Sequence, residues 1–469
     1  MPPDRPPTST CIDKRHFWYH VAPADVAAAV GGYVTLDHAS GPLLGQVTGL
    51  TLGEHGQLAP DVRVEGRLLG DAVPPFHGVE TRVAAPAEVA DWLASIRPGR
   101  AQLPVGEMSM APGVPLELDA GAFRRHTFLC GQSGSGKTYA LGTILERLLL
   151  ETRLRVVVLD PNSDFVRLGS VRDDVDIELA SRYAEATDDL AVRSVGDAGE
   201  KRLHVRFTTF DAAERGATLR LDPIADLEEY AALIELAESV SASPYETPQE
   251  LADALRASAE PAVRALGLRL TNLGLERWTL WSMSDSGSLD ELVAPGGPRA
   301  VVVDLGSLPT PAERALAAEA TLAALWRRRE ARDPTLIVID EAHNVCPGAA
   351  DGPLTALATE HAVRIAGEGR KFGLTLLVST QRPQKIHENV ISQCDNLILM
   401  RMNSRADLAV VGSVFSLVPE QLLAGATDFG LGQSLVAGGL VSHPTLARIG
   451  PRWSHEGGSD PPSDWALPR

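Results

Sequence analysis

The sequence predicts an α/β fold preceded by a small strand-rich domain, and three observations carry that prediction. Short apolar runs recur along the second part of the chain, at Leu154–Leu159, Ala300–Leu305, Leu336–Ile339 and Leu374–Val378. Apolarity unbroken over strand length marks strands buried on both faces, as in a parallel sheet. Between these runs lie amphipathic segments; the one after Thr138 places Leu141, Ile144, Leu145, Leu148 and Leu149 on one helical face. Ahead of them, Gly32–Leu36, Leu44–Leu50 and Val62–Leu68 read as short strands separated by Gly, Pro, Asp and Ser turn signals, which predicts a small barrel or sandwich.

The remaining elements follow in chain order. A Pro/Ala-rich connector carries one helix over Ala87–Ile96. Capping boxes at Thr247–Glu250, Ser288–Glu291 and Thr310–Glu313 announce three more helices. The stretch from Asp226 to Val293 has little strand signal and reads as a helical insertion. The last residues, from Ser454, are rich in Gly, Pro and Ser and read as extended.

Composition narrows the function. The 469 residues are 44% hydrophobic and 22% charged, an ordinary globular balance, with a formal net charge of −18. No apolar run approaches the ~18 residues of a membrane helix. Met1–His20 lacks a signal-peptide core, and Cys11, Cys130, Cys346 and Cys394 form no CxxC pair. Reduced thiols and a cytoplasmic location are expected; a disulfide scaffold, a zinc ribbon and a membrane protein are disfavoured. The acidic balance argues against a surface coated in positive charge, but not against a local basic channel. Lysine occurs only at Lys14, Lys137, Lys201, Lys371 and Lys385. Lys14 and Lys201 read as solvated surface, leaving the other three as candidates for a chemical role.

Five stretches bear on chemistry. Gly131-Gln132-Ser133-Gly134-Ser135-Gly136-Lys137-Thr138 fits GxxxxGK[ST] in full, between an apolar run and an amphipathic helix. Its glycines (Gly131, Gly134, Gly136), with Ser133 and Ser135, form a loop whose backbone amides cradle phosphates; Lys137 reaches the β/γ-phosphates and Thr138 ligates Mg²⁺. Leu336–Glu341 is an apolar strand ending in an acidic pair, where Asp340 would hold Mg²⁺ and Glu341 would act as general base. Val378–Arg382 is a strand ending in polar residues; Gln381 reads as a γ-phosphate sensor or water-positioning group, or as a solvated strand end. In Glu368–Gly373, Arg370 and Lys371 read either as a solvated helix cap or as cations reaching a neighbour's nucleotide. Asp160, leading Asp160–Phe165, reads as a carboxylate behind the magnesium site or as a strand-ending turn.

Together these residues resemble the HerA-type hexameric DNA translocases of the HerA/FtsK group. The matching stretches are Gly131–Thr138, Asp160–Phe165, Ile339–His343, Glu368–Gly373, Ser379–Pro383 and Val390–Asp395. The resemblance implies a RecA-like P-loop ATPase domain with a small N-terminal β-barrel and a helical insertion. It divides the chain into a tail (1–27), the barrel (28–75), a connector (76–110), a RecA-like ATPase core (111–450, with the insertion at 226–298) and an extended brace (451–469). It further implies a homohexameric ring that uses ATP and Mg²⁺ to thread double-stranded DNA. Lys137, Thr138, Asp340 and Glu341 would hydrolyse ATP, with Gln381 as sensor. Arg370 would act in trans, assisted by Lys371, and Trp453–Arg469 would brace a neighbouring subunit. Family members commonly pair with a nuclease in DNA end resection or antiphage defence; this chain shows no nuclease motif, so cleavage would come from a partner.

Asp340-Glu341-Ala342-His343 also spells DEAH, the label of helicases with two tandem RecA-like domains. Too little chain follows the strand at Leu374 for a second such domain, and that reading is rejected. A scaffold ring that binds ATP to assemble a partner effector without processive movement is the alternative function. A conjugative coupling or pilus ATPase shares the core, and the lack of a membrane segment argues against its anchored forms.

Overall fold

The computed structural model describes residues 6–53, 61–96, 99–197, 201–206, 209–240, 247–282 and 287–457. It has two compact units. One comprises Met1–Phe123, Thr127–Arg147 and Asp395–Arg452; the other comprises Arg124–His126, Leu148–Cys394 and Trp453–Arg469.

The first unit opens with a closed barrel of six strands in the order β1-β2-β5-β4-β3-β6. These are β1 (Thr8–Cys11), β2 (His16–Val21), β3 (Tyr33–His38), β4 (Gly41–Gly53), β5 (Asp61–Leu68) and β6 (Phe76–Val83). The expected N-terminal tail is thus corrected: residues 8–21 supply two strands, and β6 lies in the stretch read as connector. The physical reason is period-2 burial, with Cys11, Phe17 and Tyr19 sealing the barrel core beside Val34, Leu36, Val47 and Val64. Phe17 fills the room left by Gly45 and Gly66, where a Cβ would collide with its ring. The helix Pro86–Ile96 follows, close to the expected bounds.

Next come β7 (Gln102–Met108), β8 (Pro115–Asp119) and β9 (His126–Cys130). The second unit then builds its sheet from β10 (Arg155–Asp160), β11 (Leu190–Arg193), β12 (Ala300–Asp304), β13 (Thr335–Ile339) and β14 (Leu374–Thr380). They lie in the order β11-β12-β10-β13-β14, every pair parallel. All residues of β10, β12, β13 and β14 are buried, as their apolarity predicts. The expected insertion is helical: helices at Leu227–Val240, Pro248–Arg256 and Pro261–Asn272 gather around their own apolar cluster, and a short helix at Leu289–Leu292 follows. The Thr310 capping box forms in full, and Thr247 caps Glu250 N–H. At Ser288 the hydroxyl makes no cap; Glu291 instead accepts from Gly287 N–H at 2.9 Å.

The chain re-enters the first unit with β15 (Cys394–Met400), β16 (Gln433–Ala437) and β17 (Thr445–Ile449). Antiparallel pairing runs β15-β16-β17-β7-β8. In that unit Arg147, at the far end of the helix Lys137–Glu151, donates to Pro104 C=O at 3.1 Å and Pro451 C=O at 2.6 Å. It also pairs with the fully buried Glu146 at 2.7 Å. Residues beyond 450 do not begin as a free brace: Arg452 is 2% exposed, and Trp453 packs edge-on against Tyr183 within the second unit. The rest of the expected brace, 458–469, lies outside the described residues. Among the described residues no helix is long and apolar enough to cross a membrane.

His443 links barrel and sheet within the first unit. It is 2.8 Å from Tyr33 Oη and stacks edge-on against Trp92. Burial, reinforced by the Arg67 charge, pushes its imidazole down to about 4. The unfolded chain binds this proton near pH 6.5 and the folded chain does not, so stability is present above pH 6.5 and lost as pH falls toward 4. Denaturant midpoints across that range should reveal a loss of about 3 kcal/mol that His443→Asn removes from the pH slope.

Candidate functional site

In the first unit, β9 leads into the loop Gly131–Gly136, and the helix Lys137–Glu151 departs from it. Gly134 and Gly136 adopt φ of 70° and 92°, a region that penalises a Cβ. Ser135 N–H donates to Gln132 C=O at 3.2 Å, closing the loop into a tight turn. Lys137 is 5% exposed, Thr138 half-buried, and Ser133 and Gly134 exposed. The start of a fifteen-residue helix supplies free N–H groups and the positive end of its dipole to an anion held here. Residues with no signal in the sequence brace this loop. Gln132 N–H donates to Arg401 C=O at 2.9 Å, Arg401 Nη2 to Gly134 C=O at 3.0 Å, and Gly432 N–H to Ser135 C=O at 3.1 Å.

In the second unit the parallel pairing of β13 and β14 brings Asp340, Glu341 and Gln381 together. Asp340 is fully buried, and its Oδ1 accepts from Ser379 Oγ at 2.7 Å. Glu341 is 5% exposed; its Oε1 accepts from Gln381 Nε2 at 2.7 Å, and its Oε2 lies 3.3 Å from His343 Nδ1. Its φ of 42° is left-handed, a strained position for a residue with a side chain. Such strain persists where the surrounding contacts over-determine the backbone, a pattern that clusters at active sites.

Asp160 ends β10 fully buried, and its carboxylate accepts the N–H groups of Asp164 at 3.0 Å and Phe165 at 2.8 Å. It therefore shapes its own turn while standing near Asp340. Burial pushes its carboxyl up to about 7, the charges of Asp164 and Asp340 adding to the effect and the two N–H groups opposing it. In register beside it, Asp304 accepts Ser163 Oγ and Ser194 Oγ, each at 2.6 Å. Asp304, Ser163 and Ser379 lay beyond the sequence reading; a strand-end acid alone does not distinguish a turn anchor from a ligand.

Among the described residues no group of three or more His, Cys, Asp or Glu is placed to hold a metal alone. Mg²⁺ does not require one, because it binds through one or two protein oxygens, nucleotide phosphates and water. A buried carboxylate at Asp340 and a hydroxyl at Thr138 are hard oxygen donors of the type it prefers.

Arg370 and Lys371 stand apart from this site. They lie just before the start of β14, whereas Gln381 follows its end, so the seven-residue strand puts about 23 Å between them. Both are exposed, and Lys371 Nζ is 3.3 Å from Glu368. Neither reaches the acid pair of its own chain.

The family model described as helicase HerA, central domain, matches residues 103–321. The DNA double-strand break repair helicase HerA of Pyrococcus furiosus is 23% identical over 453 residues, covering 86% of this chain and 79% of that protein. Its namesake from Sulfolobus acidocaldarius is 32% identical over 168 residues, 34% of this chain and 33% of that protein. In fold the chain resembles the bacterial conjugative coupling protein TrwB (TM-score 0.52, 15% identity, 81% of this chain and 94% of that one). It also resembles VirB4 of Thermoanaerobacter pseudethanolicus (TM-score 0.51, 16% identity, 76% and 98%). The resemblance to HerA-type ATPases and the fold class are both borne out, and the chain is an ATP-hydrolysing enzyme of the P-loop class.

Gly131 tests the packing of the loop. A Cβ there would sit 2.7 Å from both Met400 Cβ and Ser135 Oγ. Gly131→Ala should cost about 1–3 kcal/mol in thermal unfolding and weaken ATP binding in calorimetry at least tenfold.

Proposed function

We propose that this chain is an ATP-driven motor that moves along double-stranded DNA as a homohexameric ring. A separate nuclease or effector protein would work with it in DNA end processing or antiphage defence. The observation that carries the reading is the buried Asp340–Glu341 pair held against Ser379 and Gln381, in a chain whose residues 103–321 match the family described as helicase HerA, central domain. The relatives' name, a DNA double-strand break repair helicase, supports DNA as the track.

The roles follow from placement. The amides of Gly131–Gly136 and the Lys137 ammonium hold the phosphates of ATP. Thr138 and Asp340 are the residues that would hold Mg²⁺, which supplies positive charge to the β- and γ-phosphates when bound. Glu341 accepts the proton of the attacking water, and Gln381, as sensor, holds its carboxylate through Oε1. Arg370, about one strand length from its own acids, suits action on the neighbouring subunit's nucleotide, with Lys371 beside it. The same placement favours a ring over an isolated chain.

Displacement of a third strand from a DNA triplex reports movement along duplex directly. The wild-type chain should displace it with ATP, and Glu341→Gln should lower ATP turnover by roughly 10²–10⁴ and abolish displacement while still binding ATP. Mixing equal amounts of Glu341→Gln and Arg370→Ala should restore roughly a quarter of turnover, since that share of sites pairs an intact glutamate with a neighbour's intact arginine. No restoration would contradict action in trans. Hydrolysis without displacement under every condition would favour the scaffold ring.

A further inference from the structure

Beyond the ends of β10, β12, β13 and β14, the second unit opens a cleft of about 790 Å³. Arg314, Arg382 and Lys385 line it, with Asp351 the one carboxylate among its lining residues. Arg314 spends its Nε on Leu308 C=O at 3.0 Å, and Asp351 accepts from Thr355 Oγ1 at 2.8 Å. Arg382 and Lys385 are exposed. On a chain of net charge −18 this is a local excess of positive charge. The walls are fixed: Gly348 N–H donates to Lys385 C=O at 2.8 Å and His387 N–H to Cys346 C=O at 3.0 Å, tying the loops after β13 and β14 together.

His343 belongs to both this cleft and the acid pair. Its ring lines the cleft, and its Nδ1 lies 3.3 Å from Glu341 Oε2 and 3.1 Å from Thr380 Oγ1. That nitrogen hydrogen-bonds Thr380 and stands only at ion-pair distance from Glu341, so a small movement of the ring opens the second approach.

We propose that the cleft takes the phosphodiester backbone of DNA and that His343 relays its occupancy to Glu341. Two guanidinium forks and an ammonium match phosphate oxygens. A phosphate seated among them draws the His343 ring toward the cleft, which opens its approach to Glu341 Oε2 and lets the carboxylate turn on its hydrogen bond from Gln381. Hydrolysis then rises when DNA is present. This inference rests on the duplex-motor reading and makes His343 a positioning residue.

The test measures binding of a fluorescent linear duplex by anisotropy across a salt series, alongside ATP turnover with and without that duplex. The variant Arg382→Glu/Lys385→Glu should bind at least tenfold more weakly, with the salt slope reduced by about 2. His343→Ala should bind duplex like the wild-type chain, yet its stimulation ratio should fall to about one. His343→Asn, whose amide places an N–H where Nδ1 stands, should recover most of the ratio; a merely structural role would not show that rescue. Wild-type affinity and slope in the charge-reversed variant, or full stimulation in His343→Ala, would overturn the proposal. So would an asparagine no better than alanine, or inorganic phosphate displacing the duplex at low millimolar concentration. A wild-type chain that binds no duplex overturns the motor reading itself, and with it this relay.

Discussion

The parallel register of β13 and β14 is the constraint on which the acid site depends. Ile339 stands opposite Val378, so the two strands end together, Asp340 emerging beside Ser379 and Glu341 beside Gln381. Side chains alternate faces along a strand, so a slip of one residue would turn one set away from the other. Burial on both faces of each strand fixes the register, because any slip exposes apolar side chains. The apolar runs that define the sheet therefore also aim the catalytic candidates.

A second constraint is buried charge. Asp160 and Asp340 are carboxylates removed from water at the ends of neighbouring strands, an arrangement that costs free energy unless hydrogen bonds or cations offset it. Ser379 and the turn amides after Asp160 supply part of the compensation. Net acidity elsewhere makes the basic cleft after β14 stand out as the place where an anionic polymer would be tolerated.

Much of this was legible in the sequence because it is local. The phosphate loop announces itself by spacing, the sheet by apolar runs, and the acid pair by its position after one of them. The first two barrel strands were hidden: Thr8–Cys11 is polar up to its last residue and His16–Val21 carries histidines at His16 and His20, and only closure around Phe17 and Tyr19 shows their inward faces. Arg401 and Gly432, which brace the phosphate loop, act through backbone bonds from remote segments, where sequence carries no mark. Likewise the left-handed backbone of Glu341 and the shared position of His343 come from tertiary packing rather than propensity.

Steady-state ATP turnover of the purified chain, measured with and without linear duplex DNA against Lys137→Ala as the blank, tests the central claim most directly. The account predicts turnover that Lys137→Ala abolishes and that duplex raises several-fold. Turnover by the wild-type chain that is indifferent to duplex, at DNA concentrations where binding is saturated, would contradict it.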